Sequence, residues 1–494
     1  MLSTQVPRSN MSILQELLSL QQIYPLSVSI GKHVHIGVIH VVAKTISSFP
    51  ERQDGEANDG LSFHFTIRNK SPDVPLRSPC HPHGSPVLFY GNCVFRQEAD
   101  ATMKRHFAQK TLVLISTLEF PAFFIRLLHQ MTSSGTIGNP TTLEAAYVEM
   151  AKWPPPSHGR QQLPFLGSVI ELDIAPHASF PLQGLSTMSA ATVKSHLSHI
   201  YANEPVTSWN SLLRFMPSLT DLYKVFEQVL LCESAVVLAK SPQLCSEFIS
   251  ALVDLIKPVP YAGECRPYLT MQSEFFSASL DGGAPKHFLI GITNPFLLKR
   301  VLDMAESAGR AAPLRIHLYD TGLPVPLKAP HTHHTSQAEA DLPNGVAARS
   351  RQKTYMKVDR LFLKALEGMQ ADTTTAIDSI GPFVRRHFAT LVAQFLAPLN
   401  RYLATRMATS ILSPGGSLQY AHFDETEFMQ SLKKHGSCAS TKGQSPFARH
   451  ASRDQLYRKF CRSPSFYSWL DTKLSLEKEA SAGLLGPTTL RTVP

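Results

Sequence analysis

ESAVVLAKSP, at Glu233–Pro242, opens the stretch that decides the fold, and PLRIHLYD, at Pro313–Asp320, closes it. Short apolar runs in this stretch predict four buried strands, at residues 236–239, 268–271, 288–293 and 314–319. Amphipathic helices lie between them and open at Ser241-Pro242 and Asn294-Pro295, where an N-cap residue precedes a first-turn proline. This alternation of strands and helices predicts a mostly parallel sheet covered by helices.

The turns that follow the first and third strands lack the glycine patterns of nucleotide-binding proteins. They consist of AKSP at 239–242 and TNP at 293–295, and neither contains GxGxxG or GxxxxGK[ST]. Without those glycines the backbone cannot close around a phosphate in the usual way. We therefore expect this sheet to be a scaffold rather than a nucleotide site.

The chain before this stretch predicts a smaller α+β unit. Alternating or apolar runs predict four strands, at residues 34–39, 61–67, 87–96 and 111–116. A helix follows, with Phe123, Phe124, Leu127, Leu128 and Met131 on one side. The proline run WPPP at 153–156 can be neither helix nor central strand, so we place a first domain at 1–156.

A second domain, residues 157–320, contains the central stretch. Ahead of that stretch, residues 163–172 predict one strand and residues 191–201 a modest helix. From Asp221 onward apolar residues recur at the i, i+3, i+4 and i+7 spacing of an amphipathic helix. We expect this helix to feed directly into the central sheet.

Residues 321–378 are rich in proline and are assigned to a linker. The tract HTHH at 331–334 offers imidazoles to zinc, but such tracts in proline-rich loops are usually solvated, and this is the interpretation we prefer. From Ser379 the pattern is helical and predicts an all-α third domain at 379–480. Its helices include one from Asp424 to Gly436, a turn or two at 456–460, and one opening at Ser463-Pro464.

Composition limits the class of protein and its partners. The 494 residues suffice for two or three domains, and 43% hydrophobic with 17% charged residues is typical of a globular protein. Seven scattered cysteines without CxxC spacing favour reduced thiols, and no leader or membrane span is predicted, so we expect an intracellular, soluble protein. The net charge of +9 favours acidic partners: a protein or an anionic membrane, ahead of nucleic acid, because no nucleic-acid-binding signature accompanies it.

Motifs for catalysis are not found in the sequence. There is no GxSxG or HExxH, and His64, His81, His83, His106 and His287 are isolated, so we expect no catalytic residue, no metal and no cofactor. Arg266 leaves two interpretations open. It could enter a partner's phosphate site as a finger, or it could be buried and pair with Glu264 or a loop carbonyl.

Ordered segments resemble DENN-domain proteins, in particular the DENN domain-containing protein 6 family. In the centre these are SAVVLAKSP, RPYLTM and LIGITNPF, and upstream they are FYGNCVFRQEADATMKRHFAQKTLVLIS and LEAAYVEMAKWPPP. Downstream they are FVRRHFATLVAQFLAPLNRYLA, FDETEFMQSLKKHG and YRKFCRSPSFYSWL. The similarity spans about residues 85–300 and 380–475 in matching order, whereas 321–378 is divergent.

The resemblance implies a tripartite α+β and α/β fold: a longin-like upstream module, a central α/β module and a helical downstream module in two lobes. It implies guanine-nucleotide exchange on a Rab-type small GTPase in membrane traffic. The protein would be cytoplasmic and lie peripherally on endosomal or recycling membranes, with contact to anionic lipid but not to nucleic acid. We expect the GTPase to contact a surface between the central and helical modules, formed by Arg266, Asn294, Lys299, Arg300, Arg385 and Arg386.

Two other hypotheses remain open at this point. The same fold could serve as a non-catalytic adaptor that binds a GTPase or a trafficking complex without releasing its nucleotide. An enzyme of the hydrolase or metal-dependent class would instead need its histidines to converge with carboxylates or a metal.

Overall fold

A computed structural model gives the protein a mixed α/β fold. It describes residues 26–30, 34–40, 58–68, 88–102, 107–116, 118–132, 140–174, 199–271, 273–276, 285–320, 353–371, 377–411 and 423–484. Within these ranges the chain forms three sheets, which lie toward its N-terminal and central parts, and a C-terminal set of helices. No helix within them is both long enough and apolar enough to cross a bilayer.

The first sheet is antiparallel and has five strands in the order β1-β2-β5-β4-β3. Its strands are β1 Leu26–Ile30, β2 Val34–His40, β3 Asn58–Arg68, β4 Leu88–Ala99 and β5 Phe107–Ser116. All four strands predicted in this region are therefore confirmed. Helix α1, Pro121–Thr132, covers one face and packs Phe123 and Leu127 against Val94 and Leu114. Helix α2, Pro140–Met150, completes this layer.

A small second sheet corrects the prediction of one strand at 163–172. The chain forms a hairpin of β6 Gly159–Phe165 and β7 Ser168–Ile174, to which β8 His199–Tyr201 adds in parallel. It reverses at Leu166-Gly167, where both residues take positive φ, of 47° and 78°. Glycine adopts that conformation without strain, which allows so tight a reversal inside one apolar run. Of the helix predicted at 191–201, residues 199–201 are strand β8 instead, and the rest lies outside the described residues.

The third sheet was predicted to be mostly parallel and is parallel throughout, with the order β10-β11-β9-β12. Its strands are β9 Ala235–Leu238, β10 Glu264–Leu269, β11 Phe288–Ile292 and β12 Leu314–His317. Strand β10 begins four residues earlier than predicted because Glu264 already pairs with Phe288. Before this sheet come the short helix α3, Trp209–Leu212, a 3₁₀ turn at Leu213–Phe215 and helix α4, Asp221–Leu230.

The two faces of the parallel sheet pack against different helices. Ala235 and Val237 point into the main core with α4 and with helix α5, Pro242–Leu255. The intervening Val236, with Ile290, packs under helix α6, Pro295–Ser307. This alternation is the two-residue period of a strand buried on both faces. Helix α6 therefore lies on one side of the sheet, and α4 and α5 lie on the other.

The C-terminal helices share the main core with α4 and α5. They are α7 Arg360–Ala371, α8 Ile377–Ile411, α9 Glu425–His435, α10 Pro446–Cys461 and α11 Pro464–Leu484. The predicted caps are confirmed at Asp424, whose side chain accepts two backbone N–H groups, and at Gly436, with φ of 71°. Helix α10 is much longer than the turn predicted at 456–460, because its buried stripe is narrow and only its second half is apolar.

Part of the segment assigned to a linker is folded. Tyr355 and Met356 are buried in the main core, and the Glu227 carboxylate on α4 accepts their backbone N–H groups at 2.7–3.0 Å. Helix α7 follows and also packs into this core. The linker expectation thus fails for residues 353–371, because their apolar side chains complete the core of the preceding domain. The HTHH tract at 331–334 lies outside the described residues, and the domain boundaries remain predictions.

Candidate functional site

Arg266, expected at a partner surface, is instead part of the interior. Its side chain is 1% exposed, Nε donates to Glu264 Oε1 at 2.9 Å, and Nη1 donates to the Thr66 carbonyl at 2.7 Å. The buried interpretation is therefore correct, and the finger interpretation is wrong. Arg266 joins the edge strand β3 of the first sheet to the edge strand β10 of the parallel sheet.

Arg385 forms a second ion pair, with the buried carboxylate of Asp254. On α8 it donates to both carboxylate oxygens of Asp254, at 2.6 and 3.2 Å, and Lys257 adds a third contact at 2.9 Å. Burial alone would raise the pKa of Asp254, but the charges of Lys257 and Arg385 outweigh it and lower that pKa. Arg385 therefore stabilises the junction of α5 and α8, whereas its neighbour Arg386 is exposed.

Asn294 caps helix α6, as its sequence context predicts. Its side-chain oxygen accepts the N–H of Phe296 at 3.0 Å, and Pro295 occupies the first turn. The cap fixes where α6 begins, directly after strand β11 ends. The side chains of the first two turns of α6 are therefore held at the carboxyl edge of the parallel sheet.

Lys299 and Arg300 lie exposed on α6. The Arg300 guanidinium sits 4.8 Å from the centroid of the Phe276 ring and donates to the Phe276 carbonyl at 3.0 Å. This cation–π contact orients Arg300 but leaves it exposed. Since α6 and α8 lie on opposite sides of the parallel sheet, the six predicted contact residues do not form one surface.

Two exposed apolar side chains extend the α6 group. Phe296 is 69% exposed in the first turn of α6, and Met271 is 50% exposed just after β10. Strands β10 and β11 are neighbours, with Leu269 paired to Ile292, so both side chains emerge at the same edge. We call Met271, Asn294, Phe296, Lys299 and Arg300 the carboxyl-edge surface. Sequence reasoning missed Met271 and Phe296, although Met271 is the last residue of a predicted strand and Phe296 lies in the first turn of a predicted helix.

The same edge retains unused hydrogen-bonding groups. Thr270 and Thr293 follow β10 and β11, both are buried, and neither hydroxyl has a partner within the described part of the chain. A buried hydroxyl without a partner is costly, of the order of 1–3 kcal/mol. In open α/β sheets, ligands bind outside the carboxyl ends of the strands. Exposed apolar groups, cations and unused hydroxyls thus meet where a partner would approach.

Histidines do not build a reactive centre in the described ranges. His64 is buried in β3, where desolvation lowers its pKa from 6.5 to about 3. His287 donates from Nδ1 to the Cys232 carbonyl at 2.7 Å. Those ranges hold no cluster of three or more His, Cys, Asp or Glu residues suited to a metal, and His81, His83 and His106 lie outside them.

Comparison with known proteins identifies the family. No family model matches the sequence. The chain is 31% identical to protein DENND6A of Gallus gallus over 455 residues, covering 88% of this chain and 74% of that protein. With protein DENND6A of Mus musculus it shares 30% identity over 442 residues, or 86% and 70% of the two chains. The chain belongs to the DENND6 family. Protein DENND6B of Homo sapiens is 28% identical over 446 residues, or 85% and 72%.

Membership of the DENND6 family confirms the resemblance drawn from the ordered sequence segments. The mixed α/β architecture with a parallel sheet fits a DENN-type fold. By this membership the chain is a DENN-domain protein of the DENND6 family.

Proposed function

We propose that the protein is a guanine-nucleotide exchange factor for a Rab-type small GTPase. The observation that carries the proposal is its similarity to DENND6 proteins along 85–88% of its length. We further propose the arrangement that such a factor would use: a longin-like upstream module, a central α/β module and a helical downstream module in two lobes. The protein would act in the cytoplasm, on endosomal or recycling membranes.

Exchange of this kind needs no phosphate loop, metal or nucleophile on the factor itself. The factor binds the switch loops of the GTPase in a conformation that no longer holds Mg²⁺ and phosphate well. Thermodynamic linkage then requires that it bind the nucleotide-free GTPase more tightly than the loaded one. The chemistry of nucleotide release thus resides in the GTPase, and the factor contributes binding energy.

The carboxyl-edge surface is our candidate for the GTPase contact. Phe296 and Met271 provide exposed apolar area of the kind that dominates interface energetics, and Lys299 and Arg300 lie beside Phe296 on the same helix. The Asn294 cap holds this turn rigid, which reduces the entropy lost on binding. Arg266 is excluded by its burial, and Arg385 is occupied by Asp254.

Release of fluorescent mantGDP from a panel of Rab-type GTPases tests the proposal. The wild-type protein should accelerate release from one of them, and Phe296→Ala should lower kcat/KM about tenfold or more, as loss of an interface anchor does. Phe447→Ala is the matched control, because Phe447 is as exposed but lies on α10. Arg386→Glu, on the other side of the sheet, should leave exchange unchanged.

Three outcomes would contradict the proposal or its site. No acceleration with any GTPase would overturn exchange activity, and stable binding with unchanged release would identify an adaptor. Equal loss of activity in Phe296→Ala and Phe447→Ala would reject the carboxyl-edge surface. The GTPases that this protein retains in a pull-down, when they are free of nucleotide, form the panel for these measurements.

A further inference from the structure

Two of the most exposed large apolar side chains in the described part of the chain lie on the helical side of the molecule. Leu361 is 82% exposed in the first turn of α7, and Phe447 is 84% exposed in the first turn of α10. Single exposed apolar residues are common on protein surfaces and need no explanation. Leu361 and Phe447, however, lie at helix starts that the fold holds together, and exposed cations flank both of them.

A short antiparallel bridge ties the starts of the two helices to one site. Lys357 N donates to the Ser440 carbonyl at 2.9 Å, and Lys442 N donates to the Tyr355 carbonyl at 2.7 Å. Helix α7 begins three residues after Lys357. The Thr441 hydroxyl then donates to the Arg449 carbonyl at 2.8 Å, within the first turn of α10. Both first turns are thus anchored to residues 355–357 and 440–442.

Exposed cations flank the two apolar residues along the chain. Residues 433–450 contain four lysines and arginines and no acidic residue. Lys364 lies at i+3 from Leu361 on α7, on the same side of the helix, with Arg360 adjacent. The exposed cations of this region are Lys357, Arg360, Lys364, Lys433, Lys434 and Arg449.

These cations are not neutralised within the described residues. None of the six forms an ion pair there, whereas Arg453 and Lys459 on α10, and Arg462 directly after it, each pair with a carboxylate. Asp359 is the one acidic residue beside Leu361; its carboxylate caps α7 by accepting the N–H groups of Leu361 and Phe362, and its single negative charge leaves the six cations in excess. The patch therefore retains an uncompensated positive charge around protruding apolar side chains.

We propose that this patch docks the protein on the surface of a membrane rich in anionic lipid. Lipid phosphates and carboxylates would bind the six cations, while Leu361 and Phe447 enter the boundary between headgroups and acyl chains. An aliphatic leucine has no face on which a nucleic-acid base can stack, so a bilayer matches the pair better than nucleic acid does. The inference rests on the proposed placement at membranes and assigns a surface to it.

Vesicle co-sedimentation of the full chain tests the proposal. The wild type should bind phosphatidylcholine vesicles that contain about one third phosphatidylserine, and bind pure phosphatidylcholine at least tenfold more weakly. Raising the salt concentration should weaken binding, because the charges are exposed. Two double variants should each lower the affinity for the phosphatidylserine vesicles about tenfold or more. One combines Phe447→Ala with Leu361→Ala, and the other combines Lys433→Glu with Lys434→Glu. Phe296→Ala is the matched control and should bind vesicles as the wild type does.

Further readouts separate this proposal from misfolding and from the exchange proposal. Because the substituted side chains are exposed, each variant should keep the circular dichroism and the unfolding midpoint of the wild type. In solution without vesicles, the Phe447→Ala and Leu361→Ala variant should release mantGDP as fast as the wild type. A variant that loses vesicle binding but keeps exchange activity supports the docking surface. A variant that loses exchange activity but keeps vesicle binding bears only on the carboxyl-edge surface.

Four results would overturn the docking surface. They are absence of wild-type binding to either vesicle, equal binding to both, unchanged binding by the variants, and tighter binding to single-stranded RNA than to vesicles. A dimer that dissociates on Phe447→Ala, seen by light scattering, would instead show that the patch joins two copies of the chain.

Discussion

His64 is a buried side chain, and in the described part of the chain no hydrogen bond replaces the hydration that its Nδ1 loses. It lies in β3 directly opposite Asn92 of β4; both side chains are buried, and the imidazole Nδ1 and both amide atoms lack partners within the described residues. A neutral imidazole tolerates this site better than a charged one, because burial penalises the charge. This is why desolvation lowers the pKa of His64 to about 3.

The pKa of His64 predicts how stability changes in acid. The unfolded chain takes up the proton near pH 6.5, whereas the folded protein resists it down to about pH 3. The stabilisation is therefore complete above pH 6.5 and is lost as the pH falls toward 3, by about 1.4 kcal/mol per pH unit. We expect His64→Leu to be near neutral at pH 7 and to lose less stability than the wild type between pH 6.5 and 5.

Urea unfolding at several pH values measures this difference. If the free energy of unfolding of His64→Leu falls with pH as steeply as that of the wild type, the imidazole is not the source. Sequence alone predicted His64 to be isolated from catalytic partners. It could not predict burial of an unpaired imidazole, because the alternation of β3 fixes which face a residue occupies but not what covers that face.

At the level of single helices and strands, the sequence predicted an element correctly where its apolar residues repeat along the whole element. Three strands of the parallel sheet and helix α4 were predicted closely because their apolar residues repeat over the whole element, whereas the strand predicted at 268–271 covered only the last two residues of β10. The hairpin of β6 and β7 was missed because its turn lies inside one apolar run and depends on positive φ at Leu166 and Gly167. Helix α10 was underestimated because Arg453, paired with Asp454, occupies part of its buried stripe.

The N-cap of α6 gives a prediction at this scale. Asn294→Ala removes the acceptor for the Phe296 N–H and should lower the free energy of unfolding by about 1 kcal/mol. Asn294→Ser restores a capping oxygen and should recover most of that loss. Chemical unfolding of the three proteins measures the difference, and equal stability of the Ala and Ser variants would show that the cap does not stabilise the helix.

At the scale of the whole molecule, the first sheet and the parallel sheet meet through a few contacts from distant parts of the sequence. Phe63 and Tyr268 form an edge-to-face pair at 5.4 Å, and the Thr66 hydroxyl donates to the Cys265 carbonyl at 2.9 Å. Arg266 completes the junction through the Thr66 carbonyl. Such contacts have no local periodicity, so the sequence could offer two interpretations of Arg266 but could not choose between them.

Breaking the Arg266 contact should therefore destabilise the junction of the two sheets. Arg266→Ala leaves Glu264 buried without its partner, which costs about 3–5 kcal/mol. Arg266→Met combined with Glu264→Gln removes both charges and should recover much of the loss. Arg300→Ala is the control, because Arg300 is exposed. Thermal unfolding of these variants decides the matter, and an Arg266→Ala variant as stable as the control would contradict it.

Helix α6 lies on one side of the parallel sheet, and α7 and α10 lie on the other. This separation sets how far a GTPase bound at α6 is held from a membrane bound at α10. At roughly 10 Å per layer of secondary structure, the sheet and the α4–α5 layer separate the two sides by about 20 Å or more. A GTPase that contacts Lys299 and Arg300 on the exposed face of α6 while Phe447 touches lipid would stand off from the bilayer by about that distance. If it is itself lipid-anchored, its anchor must be joined by an extended tether of about six residues or more, at 3.3–3.6 Å each.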